Sequence, residues 1–134
     1  MRYMLDTNIC IYAIHNRPSS VLEHIRQLNP GDICISAITY AELMHGVEKS
    51  TYKERNFLAL MAFLAQIDIL DFDVKAANEF GNIRADLERK GTPIGMADYM
   101  IAGHASSLGY TLITNNMREF ERVENLNLEN WAIS

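Results

Sequence analysis

The sequence predicts an α/β fold in which a short, mainly parallel sheet is covered by helices. Two observations support this prediction. Short apolar runs typical of strands alternate with longer stretches of helical periodicity. The chain has 134 residues, an ordinary length for one domain, and carries no linker or low-complexity tract. Repeated strand–helix alternation is typical of a parallel sheet, so we expect residues 1–134 to form a single domain.

Four apolar runs are predicted to be strands. They are residues 3–5, 33–36, 67–70 and 111–113. The Asn-Pro-Gly-Asp sequence at 29–32 predicts a turn before the second strand. Each run is separated from the next by a stretch with helical pattern, which predicts crossover connections between parallel strands.

Helical pattern is clearest in two segments. A long helix is predicted over residues 74–90, closed by the Gly-Thr-Pro turn at 91–93, and another over 97–108, ended by Gly109. The most apolar stretch, 57–65, is about half the length needed to cross a bilayer. We therefore predict a buried helix there and no membrane association.

Composition indicates a cytoplasmic protein. Cys10 and Cys34 lie far apart and match no metal or redox spacing, so they are interpreted as small buried apolar residues in a reducing compartment. The N-terminus lacks the apolar segment and cleavage site of an export signal.

The net charge of −5 argues against broad electrostatic capture of nucleic acid. Bound divalent cations would offset carboxylates gathered in one cleft. Basic residues also remain at Arg89, Lys90, Arg118 and Arg122, although such side chains are more often solvated surface. The charge weakens a nucleic-acid hypothesis without excluding it.

Polar residues follow three of the predicted strands. Ligands of open α/β sheets bind beyond the carboxyl ends of the strands, so these segments should meet at one edge. They are Asp6-Thr7-Asn8, Ser36 with the helix carrying Glu42, and Thr114-Asn115-Asn116.

Three carboxylates are candidate site residues, and each has a structural alternative. Asp98 falls on the apolar face of its helix, where an ionised carboxylate needs a cation, but a first-turn Asp also stabilises the helix dipole. Asp6 also fits the N-cap of the helix after the first strand. Glu42 stands three residues after Thr39, as in a capping box. Spacing alone leaves these alternatives open.

Other chemistry finds little support. The four histidines include no pair spaced for zinc, and no glycine-rich loop matches a phosphate-binding pattern. The remaining candidates are Asp, Glu and Asn side chains, whose oxygens suit hard cations such as Mg²⁺ or Mn²⁺. Such cations favour phosphate chemistry.

Four segments in order resemble the PIN-domain VapC toxins. They are Met4-Leu5-Asp6-Thr7-Asn8, Ser36 through Ala41-Glu42-Leu43 to Gly46, Ile94-Gly95 to Asp98 with Ile101-Ala102, and Ile113-Thr114-Asn115-Asn116 to Phe120. The resemblance covers nearly the whole chain and implies an α/β/α sandwich, the PIN fold.

The resemblance also implies roles for these residues. Asp6 and Asp98 would ligate metal, Glu42 would ligate it or position water, and Thr7, Asn8 and Thr114 would support Asp6. Many PIN domains carry Asp where this sequence has Asn116, with Glu119 three residues later. Whether Asn116 or Glu119 completes the site, and whether one or two metals act, stays open.

The implied activity is that of a toxic, magnesium-dependent endoribonuclease in a type II toxin–antitoxin system, with Mn²⁺ as a possible substitute. The expected partners are a VapB-type antitoxin and RNA, with tRNA the leading substrate, and the chain is expected to form a homodimer within a larger toxin–antitoxin assembly. A metal-activated water would attack in line, leaving a 5′-phosphate and a 3′-hydroxyl.

Two other functions remain open at this stage. A structure-specific DNA nuclease uses similar carboxylates, although this chain has no residues left over for an arch or clamp. The second alternative is a non-catalytic module that only binds RNA or a partner protein. It remains open because Asn116 stands where many PIN domains have an acidic residue. Matched RNA and DNA oligonucleotides distinguish the DNA nuclease from a ribonuclease, whereas retention of RNA without product at any metal concentration is expected of the binding module.

Overall fold

A computed structural model describes residues 2–133 and contains a five-stranded, all-parallel sheet. The strand order is β3-β2-β1-β4-β5, so the first strand is central. The bounds are β1 Tyr3–Leu5, β2 Ile33–Ser36, β3 Asp68–Leu70, β4 Thr111–Ile113 and β5 Leu128–Glu129. The four predicted strands are confirmed, while β5 was missed because two residues produce no readable alternation.

Seven α-helices connect and follow the strands in the described part of the chain. Their bounds are α1 Thr7–His15, α2 Ser19–Arg26, α3 Ala37–Glu48, α4 Lys53–Leu64, α5 Val74–Arg89, α6 Met96–Leu108 and α7 Met117–Phe120. The turn predicted at 29–32 is a 3-10 turn at Pro30–Asp32. Gly109 ends α6 with a positive φ of 69°, a conformation that costs glycine little.

Helices cover both faces of the sheet, which gives the three-layer α/β/α arrangement. Side chains alternate along each strand, so one face receives Leu5, Ile35 and Ile113 and packs against helices from α1 to α4. The opposite face receives Met4 and Cys34 and packs against α5, α6 and α7. Cys10 is buried in the first core, as the sequence predicted for both cysteines.

The winding of the chain creates a switch point between β1 and β4. From β1 the chain proceeds outward to β2 and β3, and it then returns to form β4 on the other side of β1. The backbone amide of Asp6 donates to the carbonyl of Ile113 over 3.0 Å, which holds the two strand ends together. Ligands of parallel sheets bind at such a point, beyond the carboxyl ends.

The outer surface of α4 departs from the sequence prediction. The segment 57–65 was expected to be a buried helix, yet only Leu60 and Leu64 of α4 are buried. Leu58 is 69 % exposed and Phe57 is 39 % exposed. The prediction was wrong because α4 packs against α3 and α1 on one side, and no described element covers its other side.

Close packing of α5 against α6 fixes the helix that carries Asp98. A Cβ atom at Gly103 would lie 2.7 Å from the backbone nitrogen of Phe80 and 2.9 Å from its Cα. Glycine is therefore required at this crossing, because any side chain would force α5 away from α6. Among residues 2–133, no helix has both the length and the apolarity needed to cross a bilayer.

Candidate functional site

Four carboxylates converge at the carboxyl edge of the sheet. Asp6 directly follows β1, Glu42 lies on α3 after β2, Asp98 lies in the first turn of α6, and Glu119 lies on α7 after β4. The negative charges of Glu119, Asp6 and Glu42 all act on Asp98 and raise its pKa. These four side chains are called the carboxylate cluster below.

Asp6 is held by hydrogen bonds on both oxygens. Its Oδ1 accepts from the backbone amide of Ile9 over 3.0 Å, and its Oδ2 accepts from the Thr114 hydroxyl over 2.5 Å. The side chain is only 6 % exposed. Burial raises the pKa of Asp6, while the bonds from Thr114 and Ile9 oppose that rise. Asp6 therefore caps α1 and also belongs to the cluster, so the two alternatives left open by the sequence coexist.

Glu42 is exposed on α3 and accepts a hydrogen bond from the Thr7 hydroxyl. The capping-box alternative is wrong, because the N-cap of α3 is Ser36, whose hydroxyl accepts from the amide of Ile38 over 3.1 Å. Thr7 differs from its expected role, since its hydroxyl contacts Glu42 instead of Asp6. Asn8 does assist Asp6, through its backbone amide.

Asp98 is half-buried, and its pKa is raised from 3.8 to about 6. Burial is the main cause, followed by the charges of Glu119, Asp6 and Glu42. A carboxylate that served only the dipole of α6 would have a lowered pKa, because the helix N-terminus favours the anion. The surroundings of Asp98 therefore leave negative charge uncompensated.

Glu119 and Asn116 occupy different positions relative to the cluster. Glu119 lies against Asp98, where its charge and a side-chain hydrogen bond both raise the pKa of Asp98. Asn116 stands at the N-cap of α7 without a side-chain capping bond, and its backbone amide donates to the Thr114 hydroxyl over 2.9 Å. The fold thus brings the Glu119 carboxylate to Asp98, whereas the side-chain amide of Asn116 has no described contact with Asp98.

The donor set fits a hard divalent cation. All four groups are carboxylates, and none forms an ion pair with Lys, Arg or His in the part of the chain that the structure describes. Within residues 2–133, no three potential ligands lie close enough to form a complete metal cage. Mg²⁺ commonly binds through one or two carboxylates and retains several waters, which suits such an open arrangement.

The basic residues singled out from the sequence mostly serve other contacts. Lys90 pairs with Asp86 at 2.9 Å and with Glu124 at 2.7 Å. Arg122 donates to the carbonyl of Pro93 over 3.0 Å. Arg118, exposed beside Glu119, forms no ion pair with any described residue, so it remains available to an anion near the cluster.

One buried polar contact near the site was not expected from the sequence. The Nδ1 atom of His104 lies 2.7 Å from the Ser36 hydroxyl, and its ring packs edge-on against Phe72. His104 is 2 % exposed, and burial lowers its pKa. It lies within the core and ties α6 to the start of α3.

An apolar groove adjoins the cluster and was also missed. It has a volume of about 450 Å³ between α1, α3 and α4. Its walls include Ile11, Leu43 and Leu60, and Glu42 lines both the groove and the cluster. Residues from three helices form this surface, so no single sequence segment could reveal it.

The PIN domain family matches residues 3–126. The chain is 52% identical over 132 residues to the tRNA(fMet)-specific endonuclease VapC of Shigella flexneri, covering 98% of this chain and 99% of that protein. It is 51% identical over 132 residues to Ribonuclease VapC2 of Haemophilus influenzae, covering 98% and 99%.

Solved structures give the same result. The structure of VapBC2 from Rickettsia felis, bound to a DNA fragment from its promoter, contains a chain that matches with a TM-score of 0.92 and 47% identity. The match covers 98% of this chain and 99% of that one. This chain therefore belongs to the PIN-domain family, among the VapC ribonucleases.

Proposed function

We propose that this chain is the toxic endoribonuclease of a type II toxin–antitoxin pair and hydrolyses RNA phosphodiester bonds with Mg²⁺. The supporting observation is Asp98, a half-buried carboxylate facing Glu119, Asp6 and Glu42, with a pKa of about 6. No Lys or Arg within residues 2–133 pairs with these four groups. A divalent cation is the partner that their charge requires.

Each member of the cluster has a distinct part in this proposal. Asp6 and Asp98 hold the metal, for which Mn²⁺ is a possible substitute. Asp6 is kept in place by Thr114 and the N-terminus of α1. Glu42, oriented by Thr7, orients water or ligates the metal. When bound, Mg²⁺ supplies Lewis-acid activation of water and neutralises charge at the phosphodiester.

The cluster also bears on the position where many PIN domains carry Asp and this sequence has Asn116. Glu119 lies against Asp98, so we propose that Glu119 supplies the acidic group that Asn116 lacks. Asn116 then acts through its backbone, which donates to the hydroxyl that holds Asp6. Glu119→Gln is expected to lower the cleavage rate far more than Asn116→Ala, measured on the same RNA at saturating Mg²⁺.

We propose tRNA as the substrate, because similar proteins from Shigella flexneri and Salmonella typhimurium are named tRNA(fMet)-specific endonucleases. The test incubates purified chain with total tRNA in Mg²⁺ or EDTA. Asp6→Asn is the inactive variant, and Asp71→Asn, an exposed Asp outside the cluster, is its matched control.

The expected result is a small number of discrete tRNA fragments that appear with Mg²⁺, disappear with EDTA and are absent with Asp6→Asn. Asp71→Asn should cleave like the wild type. Cleavage that continues in EDTA would contradict the metal requirement. Intact tRNA beside cleaved messenger RNA would contradict only the substrate, whereas retention of RNA without any product would favour a binding module.

A VapB-type antitoxin is the proposed partner, since the similar Rickettsia felis and Salmonella typhimurium structures are VapBC complexes. We propose that it occupies the apolar groove between α1, α3 and α4. The groove joins the cluster at Glu42, so an occupant would close one side of the active site. Exposed apolar surface of this kind is typical of protein interfaces.

Co-expression tests the groove. The chain expressed alone is expected to arrest growth, and the antitoxin encoded beside it should restore growth. Ala59→Glu places a charge in the groove and should block this rescue while leaving tRNA cleavage intact. Ala77→Glu makes the same change on an exposed part of α5 and should be rescued. Rescue of both variants would place the antitoxin elsewhere.

We also propose that the chain forms a homodimer within a larger complex with antitoxin. Large apolar side chains remain exposed outside the groove, including Leu58 at 69 % and Val74 at 75 %. Such side chains favour association. Sedimentation of the purified chain with and without antitoxin measures this directly, and a monomer at all concentrations would contradict it.

A further inference from the structure

Three hydrogen-bonded side chains extend the carboxylate edge of the sheet. The Asn115 Nδ2 donates to the Tyr12 hydroxyl over 3.3 Å, and the Asn130 Nδ2 donates to the Asn115 Oδ1 over 3.1 Å. These three residues are called the amide row. The row is partly to fully exposed, so it faces solvent.

The order of the strands places the amide row beside the carboxylate cluster. Asn115 follows Thr114, whose hydroxyl holds Asp6, and β5 lies next to β4 and ends just before Asn130. Tyr12 comes from α1, the helix capped by Asp6. The carboxyl ends of β1, β4 and β5 therefore present the cluster and the row along one continuous edge.

Asn130 is held firmly in this position. Its Oδ1 accepts from the backbone amide of Ala132 over 2.9 Å. The next residue, Trp131, is 3 % exposed and packs against Tyr3 and the ring of His24. Because buried Trp131 anchors this segment, the side-chain amide of Asn130 is held in place, and the row is preorganised.

The unused hydrogen-bonding capacity of the row points outward. The Tyr12 hydroxyl proton and the second N–H of each amide have no described acceptor among residues 2–133. These groups are neutral donors next to an acidic cluster that offers no donor of its own. Asn and Tyr side chains donate to phosphate oxygens as well as to the edges of nucleobases, but only a contact with a base makes cleavage depend on sequence.

We infer that the amide row contacts the nucleobase beside the cleaved phosphodiester and sets the base preference of cleavage. This inference rests on the proposed ribonuclease function. A row that merely braced α1 against the segment after β4 would affect all RNA sequences equally. Base preference therefore distinguishes recognition from bracing.

Two variants change the hydrogen-bonding groups of the row and nearly preserve the size of each side chain. Tyr12→Phe removes only the hydroxyl. Asn130→Asp replaces Nδ2, which carries the outward N–H and the N–H donated to Asn115, with an acceptor, and it retains the oxygen that Ala132 contacts. Tyr52→Phe and Asn82→Asp make the same chemical changes at exposed positions away from the row.

The probe is an RNA oligonucleotide pool randomised at every position, cleaved in Mg²⁺ and sequenced at the new ends. The wild type is expected to prefer particular bases at a position next to the cut. Tyr12→Phe should weaken that preference about three- to tenfold, the effect of losing one hydrogen bond. Asn130→Asp should change which base is preferred, and both controls should match the wild type.

Three results would overturn the inference and leave the nuclease in place: a wild type without base preference, variants with unchanged preference, or variants that cleave every sequence more slowly by the same factor. No cleavage of any RNA by the wild type would overturn the proposed function itself. Thermal unfolding of each variant verifies that the fold is retained.

Discussion

The Thr114 hydroxyl donates a 2.5 Å hydrogen bond to Oδ2 of Asp6 and so joins the end of β4 to the end of β1. The bond crosses the point where the order of the sheet reverses. Thr114 also accepts from the backbone amide of Asn116. One hydroxyl therefore orients the buried carboxylate and the start of the segment that carries Glu119.

Thr114→Val retains the shape of this side chain and removes its hydroxyl. Asp6 would lose its donor on Oδ2, its pKa would rise further, and metal affinity should fall about 10- to 100-fold, as is usual when such supporting bonds are lost. The Mg²⁺ dependence of RNA cleavage measures this change. Thr114→Ser keeps the hydroxyl and should remain close to wild type. An unchanged Mg²⁺ dependence in Thr114→Val would show that the bond does not serve the metal.

Because the pKa of Asp98 is raised, we expect that replacing its carboxylate with a neutral amide stabilises the folded chain. Its pKa is about 6 in the folded chain against 3.8 ordinarily, so the folded state binds more protons than the unfolded state in this range. Stability therefore falls as pH rises from about 4 to 6. Asp98→Asn should raise Tm in EDTA by about 2–5 °C above pH 7, and by much less below pH 4.

Thermal unfolding across pH measures this effect, and Asp71→Asn controls for the loss of one surface charge. A Tm for Asp98→Asn below that of the wild type at neutral pH would mean that the carboxylate has a stabilising partner.

Added Mg²⁺ should make the Tm of the wild type higher than that of Asp98→Asn. The cation offsets repulsion within the cluster, so it should raise the Tm of the wild type and leave Asp98→Asn nearly unchanged. Melting curves over a Mg²⁺ titration provide the test. An equal rise for both proteins would place the bound cation away from Asp98.

Gly103→Ala tests the contact that positions α6. The new Cβ would lie 2.7 Å from a backbone atom of Phe80, so α5 and α6 must separate, at a cost of about 1–3 kcal/mol in the free energy of unfolding. Gly81→Ala on α5 meets open space and should instead stabilise by about 0.5–1 kcal/mol. Chemical denaturation measures both. Equal effects at the two glycines would contradict the tight crossing.

Ser36→Ala should also destabilise the fold. The hydroxyl caps α3 and is the partner of buried His104, so its loss should cost about 2–3 kcal/mol. Ser107, whose hydroxyl bonds only to a carbonyl of its own helix, provides the control, and Ser107→Ala should be nearly neutral. Denaturant titrations compare the two, and equal stabilities would argue against the His104 contact.

The sequence predicted the site better than its surroundings. Asp6, Glu42 and Thr114 follow apolar strands of readable pattern, and parallel strands place their carboxyl ends together. The contact of Glu119 with Asp98 depends on the orientation of the one-turn helix α7, which no periodicity encodes. The exposed face of α4 was predicted to be buried because apolar composition does not reveal whether a partner lies inside or outside the chain.

The amide row was missed for a related reason. Tyr12, Asn115 and Asn130 come from three separate elements, and Asn130 follows a strand of only two residues. The hydrogen bond between Asn130 and Asn115 depends on the pairing of β5 with β4, which two residues of strand do not reveal in the sequence.

The chemistry of the cleaved ends tests the central claim most directly. Under the proposed mechanism, hydrolysis at the carboxylate cluster would use water and leave the RNA 2′-hydroxyl unused, so the products should carry a 5′-phosphate and a 3′-hydroxyl. Mass spectrometry of fragments from a defined RNA, made with Mg²⁺ and absent with Asp98→Asn, provides the measurement. Products ending in 2′,3′-cyclic phosphate would contradict the proposed mechanism, because the RNA itself would then supply the nucleophile.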